Sequence, residues 1–475
     1  MSDATYKPKG PHERNVKAEL PQNILAGLTV SFAAISLGAA FGLQSGRTNG
    51  MLIGILSAGL IAFITSLFGG TRIQCSGPTA PMTTVTMTVW AAASGVLAVQ
   101  LNAAGYTNDH FMTTVMLMTA GLLLLMAVLR LGKYIKLVPA SVISGFMNGI
   151  AILIWVNEVN KLLGLGTKKL FNAELNEIQT VANTPYDGGV QANLIFAAIT
   201  CALLFLAPKV INKLAPKYKS FLPGTLIVII LMSAVHHFAG LGLQLPELES
   251  IKSFGQLQEM AAAQIPNSFD LNVLWLALPF ALNLTLLAYL DTLLTSLVID
   301  KKVVEVLGYE DNTKQNKELA AQGLANGLVA FIGGIPGAQA TIRSVLILKE
   351  NATLRLAGIL SGVFVLVEMF MFQDWVKFIP LSVFAGLLIK VGYDVMDWDP
   401  LVTWTREQLK KTAKRKISHL DMMFIAGTTL VTVMVNLNVA VISFTVLFYV
   451  LRKVLPPMGG MAAADSTEEA GHLDP

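Results

Sequence analysis

The chain has 475 residues; 54% are hydrophobic, only 13% are charged, and the net charge is +4. Soluble globular domains carry about 25% charged residues, and at a mean hydropathy of +0.61 an aqueous globule would expose aggregating apolar patches. That excludes a soluble fold and leaves an all-α polytopic membrane protein, with membrane lipid as its surroundings and no nucleic acid among its expected partners.

Residues 1–20 are polar and basic and lack the apolar core of a signal peptide. They form a cytoplasmic N-terminal segment, and the first span acts as its own insertion signal. A transporter-type membrane domain is predicted over 21–455. Its fourteen apolar segments lie near 22–45, 50–69, 78–98, 111–130, 138–158, 191–208, 222–243, 272–299, 317–332, 337–348, 353–373, 378–396, 419–435 and 437–452. With the N-terminus inside, the inner connections carry 26 Lys and Arg and the outer ones six, among them Arg47. This bias places both termini in the cytoplasm, as in a bacterial inner membrane. The longest outer connections are 159–190 and 244–271. The tail, 456–475, is acidic and predicted to be disordered. Cys75 and Cys201 are expected to be free, buried thiols.

Two stretches break the apolar pattern. GGTRIQCSGPTAPMTTVTM (69–87) and GGIPGAQATIRSVLIL (333–348) each open on Gly-Gly after a span. Each runs through Pro/Gly backbone into a helix rich in Thr or Ser. Non-helical backbone at membrane depth survives only where protein or a watery cavity satisfies it, and paired interruptions in two halves of a chain point to a transport site. Two half-helices starting near the midplane aim N–H groups and positive dipole ends at a common cavity, which favours an anion. Thr79, Thr83, Thr341 and Ser344 offer hydroxyls there. The alternative is that the glycines and prolines serve only close packing or a kink.

In LALPFALNLTLLAYLDTLLTSLVIDKK (276–302), Asp291 lies deep in an apolar helix. A carboxylate there is unfavourable by several kcal/mol unless paired or hydrated. Thr295 stands one turn on, on the same face. The two suit one hard cation such as Na⁺, its shell completed by carbonyls near Gln339–Thr341; alternatively Asp291 carries H⁺ or bonds a neighbouring helix. Arg343 has three open roles: pairing with the anion, pairing with Asp291, or snorkelling to the inner interface. Glu368 reads as a helix–helix contact, and Glu158, Asn157 and Asn160 as solvated residues at a span end. His236 and His237 have no partners for a metal site.

The motifs LPQNILAGLTVSFAAISLGAAFGL (20–43), GGTRIQCSGPTAPMTTV (69–85), LTLLAYLDTLLTSLVID (284–300), NKELAAQGLANGLVAFIGGIPGAQATIRS (316–344) and IPLSVFAGLLIKVGYDVMDW (379–398) resemble, taken together, the SulP family of anion transporters. The likeness covers about 20–452. It implies a seven-plus-seven inverted repeat, half-helices at spans 3 and 10, and a core domain moving against a gate domain. It assigns Phe41, Thr79, Ala340, Thr341 and Arg343 to the substrate. Similarity to the sodium-coupled bicarbonate branch assigns Asp291, Thr295, Gln339, Ala340 and Thr341 to the cation. Gln339 stands where that branch has glycine, which raises whether positive φ or close approach is needed there. Ser36 stands where many members have a proline that unwinds span 1. The family's STAS domain finds no room in the tail, which leaves homodimerisation and regulation open.

The function expected is secondary active transport of a small inorganic anion, with sodium-coupled bicarbonate uptake by an elevator-like movement in first place. Proton-coupled sulfate or dicarboxylate transport and a passive anion channel are the alternatives. No HExxH, GxSxG or metal-ligand cluster is present, so neither an enzyme nor an organic cofactor is expected.

Overall fold

The computed structural model describes residues 16–45, 47, 49–163, 189–214, 224–246, 254–266, 268–409, 417–435 and 437–454. The expected N-terminal segment, most of the 159–190 connection and the 456–475 tail therefore lie outside the described residues. The elements in chain order are α1 (Val16–Gln44), α2 (Gly50–Phe68), β1 (Ser76–Pro78), α3 (Ala80–Ser94), α4 (Ala98–Ala103), α5 (Asn108–Val128), a 3₁₀ turn (Leu131–Leu137), α6 (Ala140–Leu162), α7 (Gly189–Leu214), α8 (Gly224–Ala239), α9 (Phe254–Gln264), α10 (Leu271–Leu307), α11 (Gln315–Phe331), β2 (Gly337–Gln339), α12 (Thr341–Lys349), α13 (Leu356–Val376), α14 (Leu381–Val395), α15 (Trp398–Leu409), α16 (His419–Met434) and α17 (Leu437–Val454).

Every apolar segment of the sequence contains a helix. Among the described residues, seven helices are long and apolar enough to cross a membrane unaided, and the chain is an integral membrane protein. The two interrupted crossings are short for a physical reason. At about 1.5 Å per residue, the nine residues of α12 span about 14 Å, roughly half the hydrocarbon core. Extended backbone supplies the rest: β1 and β2 pair antiparallel, Ser76 opposite Gln339, Gly77 opposite Ala338 and Pro78 opposite Gly337. The sequence showed these stretches as extended; their pairing into one ribbon is new. In the opposite sense, α10 is longer than its apolar run. It starts on an Asp270 cap that accepts the Asn272 N–H at 2.7 Å, and ends at Gly308 in the left-handed region.

The chain divides into two compact units. The first comprises residues 1–133 and 195–387. In it α2 packs on α1 and α13, and α5 packs on α10 and α11. α1 and α2 approach closely through Gly38, Gly42, Gly50 and Gly54; a Cβ on Gly54 would collide with the Gly38 carbonyl. Span 1 is one continuous helix through Ser36, whose hydroxyl donates to the Phe32 carbonyl at 2.9 Å. The second unit comprises residues 134–194 and 388–475. There α16 and α17 pack on α6, Thr429 Oγ1 donates to the Gly145 carbonyl at 3.0 Å, and Phe424 lies edge-on to Phe444 and Phe448. Glu158 and Asn157 are buried in α6, which corrects the expectation that solvent explains them. Cys75 is buried and Cys201 half-buried, and neither forms a disulfide.

Candidate functional site

The site is assembled on α10. Thr79, which precedes α3, donates through Oγ1 to Asp291 Oδ2 at 2.6 Å. One turn along the same face, Thr295 Oγ1 lies 2.8 Å from Thr341 Oγ1, the first residue of α12. Between them, the Gln339 N–H reaches Thr292 Oγ1 at 3.4 Å. Three polar residues within five positions of one helix, Asp291, Thr292 and Thr295, thus hold the starts of both half-helices and the end of β2. Neither start has a side-chain cap: Thr79 and Ala340 are in extended conformation, the Thr79 hydroxyl is bonded to Asp291, and Ala340 has no capping group. The first N–H groups of a helix have no partner within it, so both ends face the region of Asp291 with donors to spare. Ala340 and Thr341 are half-exposed there, whereas Asp291, Thr295, Thr79 and Phe41 are buried. Phe41 lies on α1, which packs against β1, α3 and α12.

The structure removes two of the three roles that the sequence context offered Arg343. It is 1% exposed, which excludes snorkelling, and it forms no ion pair with Asp291. Nη2 donates to the Pro78 carbonyl at 3.0 Å, while Nε and Nη1 have no partner. The guanidinium lies against Gly77, where a Cβ would come within 2.6 Å of Nη1 and where φ is +155°. Only glycine fits that turn of β1. For Gln339 the backbone question has an answer. It is an ordinary strand residue without positive φ, and its side chain is fully buried, accepting from Thr71 Oγ1 at 3.4 Å. A glycine is not required there by the backbone. Two of the expected hydroxyls face inward: Thr83 Oγ1 donates to the Thr79 carbonyl at 2.8 Å, and Ser344 Oγ accepts the Cys75 N–H at 3.1 Å.

Several residues that the motif search did not single out hold this geometry. Glu318 is fully buried and accepts from the Gly70 and Thr71 N–H groups at 2.8 and 3.0 Å, from Gln74 Nε2 at 2.9 Å and from Gln322 Nε2 at 3.1 Å. Each Gly-Gly turn is gripped by a guanidinium. Arg355 Nη1 donates to the Gly69 carbonyl at 2.9 Å. Arg47 donates to the Gly333 carbonyl, and to that of Gly334 at 3.1 Å, while pairing with Asp109 and lying 5.2 Å from the Trp90 ring. A signal for part of this is present in the sequence. Glu318, Gln322 and Asn326 recur every four residues and form one polar stripe on an otherwise apolar helix.

Glu368 is the second acid within a span. Ser31 Oγ donates to its Oε1 at 2.8 Å, joining α13 to α1. Because its hydrogen bond to Ser31 ties two helices together, Glu368→Gln is expected to lower thermal stability only slightly. Thermal unfolding of the purified variant checks this.

The description "Sulfate permease family" matches residues 20–447. The bicarbonate transporter BicA of Picosynechococcus sp. is 30% identical over 90% of this chain and 69% of its own length. BicA of Synechocystis sp. is 30% identical over 82% of this chain and 62% of its own. The putative sulfate transporter YvdB of Bacillus subtilis is 27% identical over 90% of this chain and 73% of its own. Among solved structures, the transmembrane domain of a cyanobacterial bicarbonate transporter BicA superposes with a TM-score of 0.71 at 26% identity, covering 89% of this chain and 97% of that one. SLC26A9 shares the fold at a TM-score of 0.70 and 18% identity, over 92% of this chain and 66% of that one.

Proposed function

The chain belongs to the sulfate permease family, and from that premise we propose that it is a secondary active transporter of a small inorganic anion, bicarbonate first, driven by sodium. The observation that carries the reading is the meeting of both half-helix starts on α10, through Thr79–Asp291 and Thr341–Thr295. The uncapped helix ends supply N–H groups and partial positive charge to an anion. Asp291, Thr295 and Thr341 supply an all-oxygen donor set, which suits a hard cation such as Na⁺. Carbonyls at Gln339 and Ala340 complete the set, and Phe41 closes the substrate side.

Coupling follows from electrostatics. With Asp291 charged and no cation present, an anion entering between the helix ends meets a carboxylate in a low dielectric, and the repulsion is strong. A bound cation removes it, so each ion raises the affinity for the other by the same factor. Movement of the first unit as one body, with both ions aboard, would give alternating access. The inner membrane of a bacterium, with both termini cytoplasmic, is the proposed location.

Uptake of labelled bicarbonate and sulfate into proteoliposomes, across a sodium series and a pH series, tests this. The expected result is bicarbonate accumulation against its gradient that grows with inward sodium. The similarity to YvdB makes sulfate the second substrate to try. Accumulation driven by a pH gradient and indifferent to sodium would replace sodium with H⁺. Anion current without accumulation would make the protein a channel.

A further inference from the structure

The ribbon of β1 and β2 has two open edges at membrane depth, where every backbone polar group needs a partner. The Ala340 N–H reaches the Cys75 carbonyl at 3.4 Å across the ribbon. Antiparallel ladders alternate between pairs that bond inward and pairs that do not. Counting from Cys75–Ala340, the pairs Ser76–Gln339 and Pro78–Gly337 are the ones that point outward. The partners of Gly337 agree. The Gly337 N–H donates to Asn326 Oδ1 at 2.8 Å, and Asn326 Nδ2 donates to the Gly337 carbonyl at 3.0 Å. The Asn326 amide behaves as one residue of a third strand. On the other strand, Gln322 Nε2 donates to Ser76 Oγ at 2.8 Å.

Gln322 and Asn326 lie one turn apart on α11, both fully buried, one joined to each strand. We infer that these two side chains are positioning residues that set the offset between β1 and β2, and through it the placement of Thr79 and Thr341 around Asp291. The chain from each strand to the site is short. Pro78 is followed directly by Thr79, and Gly337 lies four residues before Thr341. A slip of the ribbon therefore moves a half-helix start relative to α10, and the partner oxygens of Thr79 and Thr341 are fixed on α10. The inference rests on the site proposed above.

Two measurements test it on the full chain. In proteoliposomes, Asn326→Ala is expected to raise the KM for bicarbonate and the sodium concentration for half-activation by about fivefold or more, the effect of losing one well-placed hydrogen bond. Vmax per inserted protein should stay within about twofold, because the moving surfaces are untouched. Leu328→Ala, on the exposed side of the same helix, should change neither. The second measurement needs no substrate. In a Cys75→Ala, Cys201→Ala background, Ser76→Cys and Gln339→Cys place two thiols on facing positions of the ribbon, with Cα atoms about 4.5 Å apart and within disulfide reach. Adding Asn326→Ala should lower the oxidised fraction at least about fivefold. An unchanged KM, a fall in Vmax alone, or an unchanged oxidised fraction overturns the inference. If Asn326→Ala fails to accumulate in the membrane, Gln322→Met, which removes the tie to Ser76, is read by the same kinetic criteria. If wild type carries none of the anions, the proposed function fails, and the disulfide measurement alone decides this one.

Discussion

Asp291→Asn is expected to abolish the stimulation of uptake by sodium, leaving the rate with a sodium gradient equal to the rate without one. Asparagine is nearly isosteric, and its side-chain oxygen still accepts from Thr79, so the bond that ties the first half-helix to α10 survives. What disappears is the negative charge. Thr295 and Thr341 alone are neutral oxygens, and a desolvated cation beside them has no counter-charge in its shell. Losing a charge-assisted contact in such a site weakens binding by about 2–3 kcal/mol, roughly 100-fold in apparent sodium affinity. Anion binding should suffer less, since the variant also removes the repulsion that sodium otherwise cancels. Residual, sodium-independent uptake is therefore part of the expected result. Sodium titrations on wild type and variant, at matched protein in the vesicles, decide it. Full stimulation in the variant would detach Asp291 from coupling altogether.

The outline of this arrangement was legible in the sequence because each part rests on a local rule. Runs of about twenty apolar residues have few alternatives to spanning helices. Gly-Gly, Pro and polar residues inside such runs forbid an unbroken helix. An aspartate within an apolar helix demands partners. What the sequence left open depends on contacts between distant positions. Arg343 had three roles by position, and only the packing of α12 under β1 sends its guanidinium to Pro78. Thr83 and Ser344 fall in the same polar stretches as Thr79 and Thr341, yet helix phase and the ribbon turn them inward. Gln339 looked like a departure that endangered the site; its strand conformation shows that positive φ is not needed there, and that is a tertiary fact. Glu158 shows the same limit in the other direction. A span end reads as solvated by its position, yet Glu158 is buried by tertiary packing.

Arg343→Met should lose at least about 100-fold in uptake, and the reason is distinct from that for Asp291. Methionine matches much of the arginine volume and is at home in an apolar interior, so the variant avoids most of the cavity that alanine would leave. Two things are removed. The buried Pro78 carbonyl loses its donor, a penalty of about 1–3 kcal/mol. The site also loses a buried positive charge within electrostatic reach of Asp291. Without it, the charge balance between the half-helices shifts toward repelling an anion, whether or not the guanidinium touches the substrate. Arg343→Lys separates the two contributions. It keeps the charge but lacks the planar fork that lies flat against Gly77. Lysine is therefore expected to recover part of the anion affinity while leaving thermal stability as low as in the methionine variant. KM, Vmax and unfolding temperature of the three proteins distinguish the outcomes. Should the methionine variant transport like wild type, the unpartnered Nε and Nη1 groups would need another explanation, and the anion would be held by the helix ends without help from this cation.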